Sequence, residues 1–253
     1  MKVISIINLK GGVGKSVSAI NMAHILSEVH EKRVLLVDND KQGNTSKFFG
    51  LHDYDAQSIS DVLTVKGFRT AEAIRRTTYE RLDLLPANMT LLRANKEILL
   101  DCSRPQQTRL RKALMEVEAN YDYAIIDNAP DLNMSVINAL VASNDVLIPI
   151  KVDSFAFDGV AQIMEQVEEI KEFNPDIRIA GGFVTMWQRN NVNAQGKAYL
   201  EDVDGLPMFD TIIRKTVAVD ETTFAGVPIL DYNKRSTAAR DYVSLVDEYL
   251  NRG

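Results

Sequence analysis

Apolar residues along this chain gather in short unbroken runs separated by stretches of helical spacing. The first run, Val3-Ile4-Ser5-Ile6-Ile7, is short and β-branched, as expected of a strand buried on both faces in a parallel sheet. Over residues 16–29, Ile20, Met22, Ala23, Ile25 and Leu26 recur at near-helical spacing, and Val34-Leu35-Leu36-Val37 then reads as a second buried strand. That is one βαβ unit. The alternation returns with a strand at Tyr123-Ala124-Ile125-Ile126, a helix over 135–143, a strand at 146–150, a helix over 157–173 and a strand at 177–184. Such a repeat predicts an α/β fold: a doubly wound, mostly parallel sheet with helices on both faces. Between about 49 and 106 the pattern weakens into short helical pieces, one strand at Leu82-Asp83-Leu84-Leu85 and a helix over 90–100. This stretch reads as an elaborated insertion within a single domain spanning 1–253, which a last helix over 237–250 closes.

Composition narrows the class. With 253 residues, 45% of them hydrophobic and 25% charged, the chain can bury a sizeable core and falls outside the disordered and fibrous classes. The single cysteine, Cys102, has no internal disulfide partner, and no basic N-region leads into an apolar stretch. No apolar run reaches the roughly 18 residues of a spanning helix, so a cytoplasmic protein without membrane attachment is expected. The net charge of −6 argues against a wholesale basic nucleic-acid binder. Net charge does not describe a local patch, however, and DNA binding stays open.

The chemistry follows the first strand, in Leu9-Lys10-Gly11-Gly12-Val13-Gly14-Lys15-Ser16. A strict Walker A pattern needs glycine five residues before Gly14, where this chain has Leu9. Gly11, Gly12 and Gly14 nevertheless let the backbone turn tightly and aim successive N–H groups at phosphate oxygens, ahead of a helix whose positive end faces the same way. Lys15 is placed to reach the β- and γ-phosphates of ATP and Ser16 to offer a hydroxyl to Mg²⁺, with Val13 and Val17 completing the candidate nucleotide contacts. Asp127, after four apolar residues, sits where a Walker B aspartate would end a buried strand and hold Mg²⁺ through water. Asp38 and Asp40 close the second strand, at the carboxyl ends where doubly wound sheets bind ligands; either also fits a cap of the next turn. His24, His30 and His52 show no metal-ligand spacing.

Three segments carry a family resemblance: Lys10-Gly11-Gly12-Val13-Gly14-Lys15-Ser16, Leu36-Val37-Asp38-Asn39-Asp40-Lys41-Gln42-Gly43-Asn44 and Ile125-Ile126-Asp127-Asn128-Ala129-Pro130. They resemble the ATP-site motifs of the ParA/MinD family of deviant Walker A ATPases. The Asp-x-Asp-x-Gln-Gly-Asn run resembles the ParA/Soj branch in particular. The likeness covers nearly the whole chain, extending to Phe183-Val184-Thr185-Met186, to Thr211-Ile212-Ile213-Arg214 and to Ala225-Gly226-Val227-Pro228-Ile229. It implies that Lys10 is the signature lysine, reaching across a two-fold interface so that two subunits sandwich two ATP molecules and a cation in trans stabilises the transferring phosphoryl group. A solvated loop lysine is the plainer alternative. It further implies that Asp40 orients the attacking water, that Asp38 serves the Mg²⁺ hydration shell, and that Thr185, Met186 and Arg214 lie on the base or ribose side; Trp187 either flanks the adenine or packs. Two departures fall in switch loops. Lys41 stands where the family often has proline, and Ala129-Pro130 supplies one proline where two are common.

Other branches fit less well. An iron–sulfur carrier needs paired cysteines. A membrane cycler needs a C-terminal amphipathic helix with a cationic face, whereas residues 238–250 carry acids outside. A related tyrosine kinase would carry a C-terminal tyrosine cluster, and Tyr232, Tyr242 and Tyr249 are scattered. The first strand starts at Lys2, so no N-terminal helix-turn-helix is expected. The resemblance therefore implies a slow, partner-stimulated ATP hydrolase that forms an ATP-dependent homodimer, binds nonspecific duplex DNA and so associates with the nucleoid. With a ParB-like partner it would segregate a plasmid, chromosome or mobile element. The alternatives are a ParA-like ATPase that positions a protein complex, and a scaffold that binds ATP without turnover. Candidate DNA contacts are Lys197, Arg214, Lys215, Lys234, Arg235 and Arg240, each of which also fits a solvated surface charge.

Overall fold

A computed structural model describes residues 1–153 and 156–252. The strands are β1 (Lys2–Ile6), β2 (Val34–Asn39), β3 (Arg75–Arg76), β4 (Leu82–Leu85), β5 (Tyr123–Asn128), β6 (Asp145–Lys151) and β7 (Arg178–Thr185). The helices are α1 (Lys15–Glu28), α2 (Asn44–Phe48), α3 (Ile59–Thr64), α4 (Thr70–Ala73), α5 (Thr90–Leu100), α6 (Arg109–Val117), α7 (Met134–Ala142), α8 (Ala156–Ile170), α9 (Asn191–Glu201), α10 (Val217–Ala225), α11 (Ile229–Tyr232) and α12 (Thr237–Arg252). No helix among the described residues is long and apolar enough to cross a membrane.

One seven-stranded sheet runs in the order β3-β4-β2-β5-β1-β6-β7, parallel throughout except for β3 against β4. The doubly wound α/β expectation holds. Within each unbroken apolar run the pleat sends alternate residues to opposite faces. Ile4, Ile6, Val34, Leu36 and Ile125 share a core with α1 and α12 through Met22, Ile25, Tyr242 and Leu245. Val3, Leu35, Val37, Ala124 and Ile126 pack on the other face against Leu63, Leu91, Ile98 and Leu110 of α3, α5 and α6. Because both faces are covered, the strands need no polar side, which is why they read as continuous hydrophobic runs.

The segment 49–106 adds β3 and β4 to the main sheet, and α3 and α5 pack into its core. Among the described residues, five helices, α2, α6, α9, α10 and α11, have no counterpart in the sequence reading. Two strands run on where the apolar signal stops. β2 and β5 stay paired through Asp38↔Asp127 and Asn39↔Asn128, so both carboxylates lie inside strands, side by side. The chain winds outward from β1 to β2 on one side and from β1's neighbour β5 across to β6 on the other. The crevice for a ligand therefore opens at the carboxyl end of β1.

Candidate nucleotide site

The glycine loop leaves β1 and enters α1 through two left-handed residues, Gly12 (φ 71°) and Gly14 (φ 88°), the latter being the N-cap of α1. A side chain at φ values of this kind is strained, so these glycines are what permits the tight loop. No side chain caps α1 and its first turn holds no acid, so its N-terminal amides remain available to an anion. The loop is braced from below. Buried Asn8 donates through Nδ2 to Pro149 O (2.8 Å) and accepts from Lys10 N (2.9 Å), while the Thr185 hydroxyl donates to Val13 O (2.8 Å). Lys15, only 7% exposed, donates through Nζ to Lys10 O at 3.0 Å. Burial lowers its pKa against the opposing pull of Asp127, Asp40 and Asp131.

Asp38 is fully buried. Its Oδ2 accepts from Ser46 N (2.8 Å) and Ser46 Oγ (2.7 Å), and its Oδ1 accepts from Asp40 N (3.2 Å). Asp127 accepts from Thr45 Oγ1 at 2.7 Å through Oδ2, and its Oδ1 is buried without a hydrogen-bond partner among the described residues. Burial raises both carboxyl pKa values, and for Asp38 the neighbouring Asp127 charge raises it further. Asp40 is half-buried, with Oδ1 accepting from Gln42 N at 2.9 Å. The turn-capping geometry weighed for Asp38 and Asp40 is thus present alongside their place in the site. Thr45, Ser46 and Asn8, which the sequence reading does not single out, are what order these groups. The polar run Asn44-Thr45-Ser46 directly after Gly43 was the available signal.

Lys10 pairs through Nζ with Asp153 of the same chain. Lys41, which replaces the common proline, reaches Asp131 at 3.8 Å and so links the loops that follow β2 and β5. A cleft beside Gly14 and Val17 is lined by Met186, Ile213, Val219 and Tyr242. Met186 itself takes a left-handed φ of 52°. The cleft is held by backbone bonds of Ile213 N to Val184 O (2.7 Å) and Trp187 N to Ile213 O (2.9 Å). Trp187, one of the two-way expectations, packs against the β6–β7 core cluster.

The basic candidates divide. Arg214 is engaged by Asp241 through its Nε (2.9 Å) and its backbone N (3.0 Å), and Lys197 is ion-paired with Glu201 one helical turn away. Lys215, Lys234, Arg235 and Arg240 are exposed, with no ion pair among the described residues. The Arg214–Asp241 contact brings Lys215 beside the start of α12, which carries Arg240 and follows Lys234 and Arg235.

A family model described as an AAA domain matches residues 1–179. The sporulation initiation inhibitor protein Soj of Bacillus subtilis is 38% identical, over 100% of this chain and 99% of its own length. The chromosome partitioning protein ParA of Caulobacter vibrioides is 34% identical, over 100% of this chain and 95% of its own. Among solved structures, cobyrinic acid a,c-diamide synthase from Mycobacterium smegmatis, with bound ATP analogue and magnesium, is 28% identical and superposes with a TM-score of 0.85 over 99% of this chain and 95% of that one. A Cyanothece McdA–ATP complex shares the fold, with a TM-score of 0.88 at 21% identity over 99% of this chain and 96% of that one. Full-length identity of this order, carried on a P-loop NTPase fold with the phosphate cradle in place, means that the chain belongs to the ParA/MinD family of deviant Walker A ATPases, in its ParA/Soj branch.

Proposed function

We propose that this chain is a nucleotide-driven partition switch. It binds ATP with Mg²⁺, pairs with a second copy, holds duplex DNA of any sequence in that state, and releases it after hydrolysis stimulated by a ParB-like partner. The observation that carries this reading is the convergence of Lys15, Ser16, Asp38, Asp40 and Asp127 at the carboxyl ends of β1, β2 and β5, beside an α1 N-terminus with no cap of its own.

In that assignment the backbone N–H groups of residues 11–16 cradle the phosphates and Lys15 neutralises the terminal ones. The donor set suits Mg²⁺: all ligating atoms are oxygens, and Asp127 Oδ1 is an orphaned buried acceptor. Ser16 and Asp127 would hold the cation, with Asp38 adding charge behind them, and the cation when bound would offset negative charge on the phosphates. Asp40, at the mouth of the site, orients the attacking water. Lys10 exchanges Asp153 for the partner copy's nucleotide and delivers its charge in trans, which ties turnover to pairing. Two copies of the surface bearing Lys215, Lys234, Arg235 and Arg240 then face DNA together, and affinity multiplies on pairing.

The test is a titration of labelled duplexes of unrelated sequence with the full chain in ATP, in ADP and without nucleotide. ATP-dependent binding, indifferent to sequence and falling steeply with salt, is expected. The double substitution Lys234→Glu, Arg235→Glu should weaken it. Absence of ATP-dependent binding at low salt would remove DNA from the reading and favour the positioning of a protein complex.

A further inference from the structure

At the ends of β2 and β5 the pleat turns Asp38 and Asp127 toward α2, where Ser46 and Thr45 donate to them. The next residue of each strand, Asn39 and Asn128, faces the other side of the sheet, and the two are register partners. Both are buried, at 0% and 1% exposed. Asn39 Nδ2 donates to Asn128 Oδ1 (2.8 Å) and to Ser135 O in the first turn of α7 (3.1 Å). Asn128 Nδ2 in turn donates to Ser5 Oγ and to Ile6 O at the end of β1, both at 3.2 Å. The backbone joins the same two strands once more, Ala129 N donating to Asn39 O at 3.3 Å. One pair of amides thus ties together the ends of the three strands from which the glycine loop, Asp40 and the loop after Asp127 emerge.

Stability does not account for this pair. Two residues earlier on the same face, Val37 and Ile126 are apolar core, and Asn39 Oδ1 is buried without a hydrogen-bond partner among the described residues. Replacing both partners of a buried polar pair by apolar groups of the same shape is close to neutral for stability. What amides add over leucines is direction, because each bond fixes the end of one strand against its neighbour. The group they border is Asp40, the next residue in the chain, whose carboxylate touches only its own turn in the bond from Gln42 N (2.9 Å) described above. One residue further, the Lys41–Asp131 contact joins the same two loops at the rim.

We propose that Asn39, acting with Asn128, is a positioning residue for Asp40: the amide pair makes the loop after β2 and the loop after β5 one body, so that Asp40 keeps a fixed place relative to the phosphate loop. The inference rests on the ATP hydrolysis and the Asp40 role proposed above, and names what holds that carboxylate in place. A displacement of about 1 Å in a group that orients a reactant costs on the order of a hundredfold in rate, so a small shift at the end of β2 is enough.

The experiment is single-turnover ATP hydrolysis by the full chain with Mg²⁺, alongside calorimetric affinity for a non-hydrolysable ATP analogue and urea unfolding. Asn39→Leu, Asn128→Leu and the double variant are each expected to slow hydrolysis by at least about tenfold, with analogue affinity within about twofold of wild type. The loss in the double variant equals that in either single variant, because the two amides act as a unit; independent loosening of the packing would make the losses multiply. The double variant unfolds at a urea midpoint no lower than the single ones, since it leaves neither amide facing an apolar group. Wild-type turnover in the double variant, losses that multiply, or a double variant that does not fold overturns the positioning role and leaves the partition reading standing. Unchanged turnover in Asp40→Ala, or a wild type that binds the analogue without hydrolysing ATP, overturns the catalytic reading on which this inference rests.

Discussion

Replacing Gly43 by alanine probes how tightly the loop that carries Asp40 is boxed in. Gly43 is the N-cap of α2 at φ 63°, ψ 35°, and its N–H closes the turn on Asp40 O at 2.8 Å. A Cβ there would lie 2.5 Å from His52 Cδ2 and 2.7 Å from Ala87 O. The imidazole can swing away. The carbonyl cannot, since Ala87 N is held by Ser46 Oγ at 2.9 Å just beyond the end of β4. The left-handed backbone costs alanine about 1–2 kcal/mol and the overpacking about 1–3 kcal/mol, while the stiffer unfolded chain returns about 0.5–1 kcal/mol. The expected net loss is about 2–3 kcal/mol, or a melting temperature lower by about 5–10 °C for a chain of this size. Gly67 is the internal control: it has φ 75° and nothing within 4 Å of the added carbon. Gly67→Ala should therefore cost only about 1 kcal/mol or less, the backbone strain without the clash. Urea unfolding of nucleotide-free protein measures both, with the denaturant slope unchanged. The packing argument fails if the two variants agree within about 0.5 kcal/mol, and adding His52→Ala to Gly43→Ala should recover only the part of the loss due to the imidazole.

Other consequences follow from the site and its frame. Lys15→Ala should abolish ATP binding in calorimetry, since the phosphate site is otherwise built of backbone N–H groups; wild-type affinity would remove the basis of the nucleotide assignment. Asp40→Ala should bind ATP normally but hydrolyse it far more slowly and accumulate as an ATP-bound dimer, whereas unchanged turnover would move the water-orienting role to another carboxylate. Lys10→Ala should bind ATP as a monomer without turning it over; hydrolysis at the wild-type rate by a dilute monomeric variant would show that no cation is needed in trans. Asp145 is buried against Lys2 (2.8 Å), Arg178 (2.7 Å) and the Tyr249 hydroxyl (2.6 Å). Burial pushes its pKa up, but those three partners outweigh it and hold the carboxyl below its ordinary value. Its contribution is thus present above the unfolded carboxylate pKa of about 4 and lost as pH falls through the lower folded value. Asp145→Asn should lower stability at neutral pH and flatten the acid limb of the stability profile, and an unchanged acid limb would contradict this account.

The strands other than β3 were legible because burial on both faces forces an uninterrupted run of β-branched and aliphatic residues, whereas the two-arginine edge strand β3 carries no such run. Leu82–Leu85 and the helix Thr90–Leu100 were placed to the residue for the same reason of periodicity. The phosphate loop was legible because only glycines tolerate the left-handed turns at Gly12 and Gly14, and the order strand, loop, helix followed from the pattern around them. Sequence could not show that β2 and β5 continue to Asn39 and Asn128, because the last residues of each are polar and only the ladder between them keeps them extended. Helix α10 escaped for a related reason: its exposed Val217 and Phe224 break amphipathic spacing, and the clamp at Gly226 comes from α2, far away in the chain. Charge was the least legible property. Lys10, Lys197 and Arg214 look alike as cations in a sequence, but Asp153, Glu201 and Asp241 engage them, and pairing depends on distances that only the folded chain sets. The sequence by itself determined which backbone could bind phosphate, since that is a matter of local conformation. The tertiary structure decided which side chains surround that site and which charges remain exposed, since those contacts join residues from strands and helices distant in the chain.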